Sequence, residues 1–382
     1  MRKYSPAGQL SHFFLILLVI MSLTDASLAR TWNVNTAGTG DAPTIQAAID
    51  SAVTGDEIVV APGTYTWSSQ GHTDDYGMIY FATYVSGFTL RSEDGPEVTI
   101  LDAQYQGRVM FIQGHNDIVV DGFTFINGVA PTNYDGGGGL IGHLSAPIIR
   151  NCIFTGNSAH QGGGLWYGGV SEITVENCTF YDNNAYYGGG VFLVNSYDTA
   201  TFKNCVIRNN YAESRGGGIM VHNFSFHLEN SVICANRSDN RGGGISVGET
   251  EPGTILQCTL SENAAPDGGS IQLQERAEID IECSIISFSY SGGAISLWEG
   301  TSLDVESCIF WSNAGGDTIP SGGVDSGNNF ILDPQFCGIP GSGNWKLQED
   351  SPCLVRNHPG GFLCNQIGAY RAGCGTVGTQ KS

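Results

Sequence analysis

Through the middle of the chain, apolar residues fall into short groups spaced by two, as in Leu165 and Tyr167, Ile219 and Val221, and Ile271 and Leu273. That spacing predicts β-strands with alternate side chains facing a core. Glycine and asparagine separate the groups, and no stretch of ten or more residues in this region has helical spacing. The pattern repeats. Gly-Gly-x followed by Leu, Val or Ile occurs at 137–140, 162–165, 188–191, 216–219, 242–245, 268–271 and 292–295, in steps of 25, 26, 28, 26, 26 and 24 residues.

A second string keeps the same beat. Asn151-Cys152-Ile153-Phe154, Asn177-Cys178-Thr179-Phe180 and Asn204-Cys205-Val206-Ile207 are followed by Asn230-Ser231-Val232-Ile233. Gln257-Cys258-Thr259-Leu260, Glu282-Cys283-Ser284-Ile285 and Ser307-Cys308-Ile309-Phe310 continue it. This alignment stacks Cys152, Cys178, Cys205, Ser231, Cys258, Cys283 and Cys308 as a buried row, with Cys234 out of register. Asn157, Asn183, Asn210, Asn236, Asn263 and Asn313 each follow three residues after an apolar position. A unit of about 26 residues made of short strands and tight turns cannot close its own core, but a coil stacked on its neighbours can. Glycine and asparagine both tolerate the left-handed backbone of tight corners, and stacked amides hydrogen-bond from coil to coil.

These strings resemble those of right-handed parallel β-helices of the pectin-lyase-like kind. The paired Phe-x-x-Asn and Gly-Gly-x-Ile/Leu/Val strings resemble the repeats of chlamydial polymorphic outer membrane proteins, over roughly residues 85–315. The resemblance implies an all-β, right-handed, single-stranded parallel β-helix with an N-terminal capping helix and a Cys-containing C-terminal cap. It does not carry over those proteins' C-terminal barrel, because no alternating barrel strands follow the repeats.

The expected organisation is a signal peptide over 1–29, an N-terminal cap over 30–55, the β-helix over 56–330 and a C-terminal cap over 331–382. The leader rests on Arg2 and Lys3, the apolar run Phe13 to Leu23, and the small residues Ser27 and Ala29. That run is too short for a membrane span. The spacing of Ile45, Ala48, Ile49 and Ala52 predicts a helix, with Asp41 and Pro43 at its start. The segment from Thr44 to Tyr65 resembles the opening of many such β-helices, pectin esterases included. Four cysteines near the end, Cys337, Cys353, Cys364 and Cys374, allow three pairings, of which Cys353–Cys364 with Cys337–Cys374 is the first choice.

Composition narrows the function. The chain has 54 glycines, 16 basic and 37 acidic residues, and a formal charge of -21. That balance opposes nucleic acid and anionic membranes as partners. With 41% hydrophobic residues, disorder is excluded. The expected partner of a secreted or cell-surface bacterial monomer, outer-membrane-associated or free, is a polysaccharide or a surface protein.

Four groups of residues carry candidate chemistry. Arg215 and Arg241 each precede a Gly triplet and are expected to stack, with Glu213 and Asp239 beside them, as a weak candidate for a lyase-like basic site. Trp166, Phe192 and Met220 share an outward register with Ile141, and Tyr187 lies nearby, which predicts an aromatic binding stripe. Glu249, Glu275 and Glu299 recur at one offset and are the candidate Ca²⁺ ligands, the one cofactor considered. His143 and His222 are three coils apart, and no Ser-His-Asp or Cys-His arrangement emerges from the spacing. Two readings follow. The first is an exported, non-catalytic, adhesin-like β-helix that binds a glycan or a protein along one face. The alternative is a polysaccharide lyase or related carbohydrate-active enzyme.

Overall fold

Each repeat bends the chain and returns it on top of itself. The computed structural model describes residues 29–70, 77–81, 87–114, 116–130, 136–169, 172–195, 198–249, 252–274, 276–359 and 364–374. The expected leader, apart from Ala29, lies outside them. Among the described residues the strands form sheets of twelve, eleven, four and nine strands. One coil visits them in turn with Ile173–Glu176, Thr179–Tyr181, Asn184–Tyr187 and Val191–Val194. Pairing from coil to coil is parallel. The result is an all-β parallel solenoid of about ten turns.

Equivalent residues stack inside it. The rings of Phe125, Phe154 and Phe180 lie 4.4 and 4.6 Å apart, nearly coplanar in tilt. Ile207, Ile233, Leu260, Ile286 and Phe310 continue their column, all buried. The expected asparagine ladder is present. Asn157 Nδ2 donates to Asn183 Oδ1 at 3.0 Å, and Asn183 and Asn210 repeat the contact one coil on. Each also donates to a backbone carbonyl, as Asn183 does to Phe154 at 2.9 Å. The amides therefore satisfy backbone groups at a buried corner, where an orphan would cost about 1–3 kcal/mol. Ser289 interrupts the ladder before Asn313.

The cysteine row differs from its expected register at one place. Ile285 pairs with Thr259 and Ile309, so Ser284, not Cys283, stands in line with Cys258 and Cys308. Cys283 occupies the left-handed corner (φ 50°) that Asn177 and Asn204 occupy in earlier coils (φ 53° and 54°), and it points out of the coil. The true members of the row donate to carbonyls two residues back, at 3.2 to 3.4 Å. Burial pushes the Cys205, Cys258 and Cys308 thiols up to about 12. They are small packed side chains, not nucleophiles.

Both ends differ from expectation in detail. The helix runs over Ile45–Ser51 and is capped by Thr44, whose side chain accepts from Ala47 N. Asp41 does not start the helix, because its carboxylate accepts from Asn33 N and Nδ2. Ile45, Ala48 and Ile49 face the core and close the first coil. That coil begins before the helix, since Thr31–Val34 pairs with Glu57–Val60. At the other end, Val324–Gly327 and Phe330–Ile331 extend the twelve- and eleven-stranded sheets.

Among the described residues, the chain after Ile331 folds back along the flank of the solenoid as a strap. Phe336, Trp345, Leu347, Cys353 and Ile367 build a second core against Val232, Cys234, Ile285 and Ile309 on the outer face of the eleven-stranded sheet. Gly368 N donates to Cys283 O at 2.8 Å, and Ala369 N to Thr259 Oγ1 at 3.0 Å. A disulfide joins Cys283 to Cys364, and a second joins Cys337 to Cys374. The pairing Cys353–Cys364 does not form. Cys353 is fully buried in the strap core as a free thiol, while Cys364 faces the corner where Cys283 projects.

Candidate functional site

The four-stranded sheet stands as an arm beside the outer face of the nine-stranded sheet. The Gly triplets make this corner. Gly188 has φ +64°, and a Cβ on Gly189 would lie 2.3 Å from Tyr211 O. No side chain fits there, so each triplet swings the chain from arm to sheet within three residues. The arm lies against the face along the stack, and the seam between them, the groove, is largely closed, with Ser246 and Gln272 fully buried.

The groove floor is the predicted outward row of Ile141, Trp166, Phe192, Met220, Ser246, Gln272 and Ser296. Its wall is Gln161, Tyr187, Arg215, Arg241 and Asp267, again one per coil. Trp166, Phe192, Met220, Tyr187, Arg215 and Arg241, distant in sequence, therefore share one groove.

Its first half is apolar and more closed than expected. Phe192 and Met220 are only 5% and 4% exposed, packed with Val194 and flanked by Trp166 and Tyr187 in a cluster separate from the main core. The four-coil exposed stripe is thus reduced to the half-buried Ile141 and Trp166, with the half-buried Tyr187 beside them. The outward register was right, but neighbouring large side chains cover one another. Trp166 Nε1 donates to Gln161 Oε1 at 3.1 Å, which fixes the indole edge against the wall.

The second half is polar and nearly fully buried. Ser246 Oγ donates to Gln272 Oε1 at 3.0 Å, and Gln274 Nε2 donates to Ser246 Oγ at 3.2 Å. Arg215 Nη1 donates to Gln274 Oε1 at 2.6 Å. Two buried donors, Arg215 Nε and Gln272 Nε2, have no acceptor. Arg241 lies 4.2 Å from the Trp298 ring centroid, with its Nε 3.7 Å from Asp267 Oδ2. The carboxylates expected beside the arginines are elsewhere: Glu213 is exposed, and Asp239 pairs with Arg237 at 3.0 Å and with Tyr211. Asp267 and Gln274 take their place. Sequence spacing missed both, because Asp267 is in line with Arg241 only across the arm, and Gln274 reaches Arg215 from two coils away.

The model of the right-handed β-helix region family matches residues 103–233. No curated protein matches the chain. Among solved structures, pectate lyase Pel9A superposes with a TM-score of 0.57 at 14% identity, over 91% of this chain and 97% of that one. Pectin methylesterase from carrot gives 0.37 at 12% identity, over 79% and 88%. The chain has a pectin-lyase-like β-solenoid fold. At these identities the likeness concerns the fold alone.

The remaining candidates do not converge on this solenoid's groove. Glu249 lies 3.8 Å from Arg276, Glu299 is exposed, and Glu275 lies outside the described residues. Among the described residues no group of three or more His, Cys, Asp or Glu could hold a metal ion. His227 touches Thr254 Oγ1 through Nδ1 and lies 3.4 Å from Glu229, an arrangement the spacing did not reveal. It sits on the twelve-stranded sheet, whose amides are used in the strand ladder, and Lys203 holds Glu229 at 3.0 Å. No helix among the described residues is long and apolar enough to cross a membrane.

Proposed function

We propose that this is an exported β-solenoid that displays the groove to a polysaccharide and binds it without turnover. The observation that carries the reading is the pair of buried, unpaired donors, Arg215 Nε and Gln272 Nε2, on the floor and wall that continue from Trp166. Such donors favour an acceptor brought by a ligand. Arg215 carries a charge matched only by the neutral Gln274, so the preferred acceptor is a carboxylate. A polymer fits because floor and wall repeat once per coil, at ~4.8 Å. Trp166 and Tyr187 would stack against a sugar in the first half.

The second reading is a polysaccharide lyase in which Arg215 withdraws the proton. It is favoured by the stacking of Arg215 on Arg241 inside the groove. Against it, no carboxylate among the described residues pairs with Arg215, and Arg241 is engaged by Asp267 and Trp298. Titration calorimetry on polygalacturonate and alginate, followed by ultraviolet detection of unsaturated ends, separates the readings. Binding without unsaturated product supports the first, and product lost in Arg215→Ala supports the second. No binding to either polymer removes both.

A further inference from the structure

We propose a second saccharide site, for an uncharged pyranose, on the far face of the arm. The arm is a single sheet, so alternate side chains of its strands face opposite ways. One set makes the groove wall. The other set faces away from the groove and includes His160, Tyr186 and Glu213.

There the rings of His160 and Tyr186 stack at 5.1 Å with 5° between their planes. Tyr187 meets both edge-on, at 5.7 Å from His160 and 4.6 Å from Tyr186. Its own position is fixed by Phe192 in the groove, at 6.5 Å. The platform is therefore braced from behind before any ligand arrives, so ordering it costs little on binding. Tyr186 still leaves 39% of its surface exposed, the large aromatic side chain that the arm turns to solvent. Beside it opens a cavity of about 300 Å³ whose lining includes Ser158, Asn184 and Glu213. This is the small end of the range for ligand pockets, suited to one or two sugar rings.

The chemistry of the lining selects the sugar. The negative face of an aromatic ring attracts the C–H edge of a pyranose. Asn184 offers a donor and an acceptor, Ser158 a hydroxyl, and the exposed Glu213 accepts hydroxyl protons. Among the described residues no Arg or Lys lines the cavity, and Glu213 would repel a second carboxylate. The groove, with its two guanidinium groups, has the opposite preference. One thin wall thus separates a site for acidic sugars from a site for neutral ones. The far site stands on its own residues and does not depend on the groove reading.

The test is calorimetric titration of the full chain with cellohexaose, mannohexaose, xylohexaose and N-acetylchitohexaose, alongside hexagalacturonate as the groove probe. At least one neutral oligomer is expected to bind. Tyr186→Ala should weaken that binding about tenfold. Tyr186→Phe, which keeps the stacking ring, should stay within about threefold of the parent. Trp166→Ala should leave neutral binding intact while weakening hexagalacturonate. The proposal is overturned if none of the neutral oligomers binds the parent chain. It is equally overturned if Tyr186→Ala binds them as tightly as the parent, or if Trp166→Ala abolishes their binding. Loss of hexagalacturonate binding alone would count against the groove and leave this site standing.

Discussion

The outer faces of the eleven- and nine-stranded sheets start from the same geometry and end differently. On the eleven-stranded sheet, Ile153, Thr179 and Val206 are half-buried in the earlier coils, while Val232, Thr259, Ile285 and Ile309 are sealed in the later ones. The strap makes the difference, and apolar residues dominate its contact with the sheet. On the nine-stranded sheet no segment of the strap among the described residues is seated on the later coils. Ser246 and Gln272 are just as inaccessible, yet they are closed over by polar side chains, Gln274 from the sheet's own edge and Arg215 from the arm, with two donors unpaired. Covering a face with a strap adds stability. Covering it with adjustable polar side chains leaves free energy that a ligand can recover.

Four measurements press on that contrast. The largest effect is expected from the double variant Cys283→Ser with Cys364→Ser. It releases a cross-link spanning 81 residues. It should cost about 2–5 kcal/mol in guanidinium unfolding while leaving groove binding unchanged. A loss of groove binding would show that the two faces are coupled through the core. Next, Leu347→Ala empties a fully buried position in the strap core. About 2–4 kcal/mol of destabilisation is expected, with faster proteolysis confined to the strap. Uniform proteolysis across the coils would instead make the strap part of one cooperative unit.

On the groove side, Arg215→Ala removes an unpaired donor but leaves Gln274 Oε1 without its donor, so it should cost no more than about 1–3 kcal/mol. It should weaken polygalacturonate about tenfold. A large drop in stability would mean that Arg215 belongs to the structure and not to a ligand. The smallest effect concerns Glu262, 4% exposed, with its carboxylate accepting from Gly341 N of the strap. Burial raises its pKa above the ordinary 4.5, and the Gly341 bond only partly opposes the shift. The folded state then holds the proton more tightly than the unfolded one. The stabilisation is full below the ordinary value and fades as pH rises through the raised one. Glu262→Gln should therefore melt higher than the parent near neutral pH, with the gap closing as pH falls towards 4.5. A pH-independent gap would point to a packing effect.

The coil was legible because its determinants are local and recur. Glycine corners, the asparagine ladder and the alternation of Ile219 and Val221 state the same fold many times over. The outward register of Trp166, Phe192 and Met220 followed from the same count. What escaped was long-range or unrepeated. Reading Cys283 into the row shortened one step to 25 residues from Cys258, where the register needs 26, and hid the residue that tethers the strap. The strap has no period, so nothing in its sequence says which face it will cover. Burial of Phe192 and Met220 depends on rings reaching across coils, which a row-by-row count does not see. The partners of Arg215 and Arg241 come from other coils for the same reason.

The asparagine ladder has a consequence for how such a molecule changes over generations. From Asn157 to Asn263 each rung offers the same donor to the next and the same acceptor to the last. Coils in this run are interchangeable parts. Duplicating or losing one whole unit rejoins an identical ladder, whereas losing a fraction of a unit leaves an orphaned amide in the core. The groove can therefore lengthen or shorten in increments of one coil, ~4.8 Å, without redesign of either end. Beyond Ser289 the rule stops, because the ladder is broken there and the neighbouring Cys283 is tied to the strap. The molecule has a growing segment and an anchored one, and the apolar half of the groove lies on the segment that can grow.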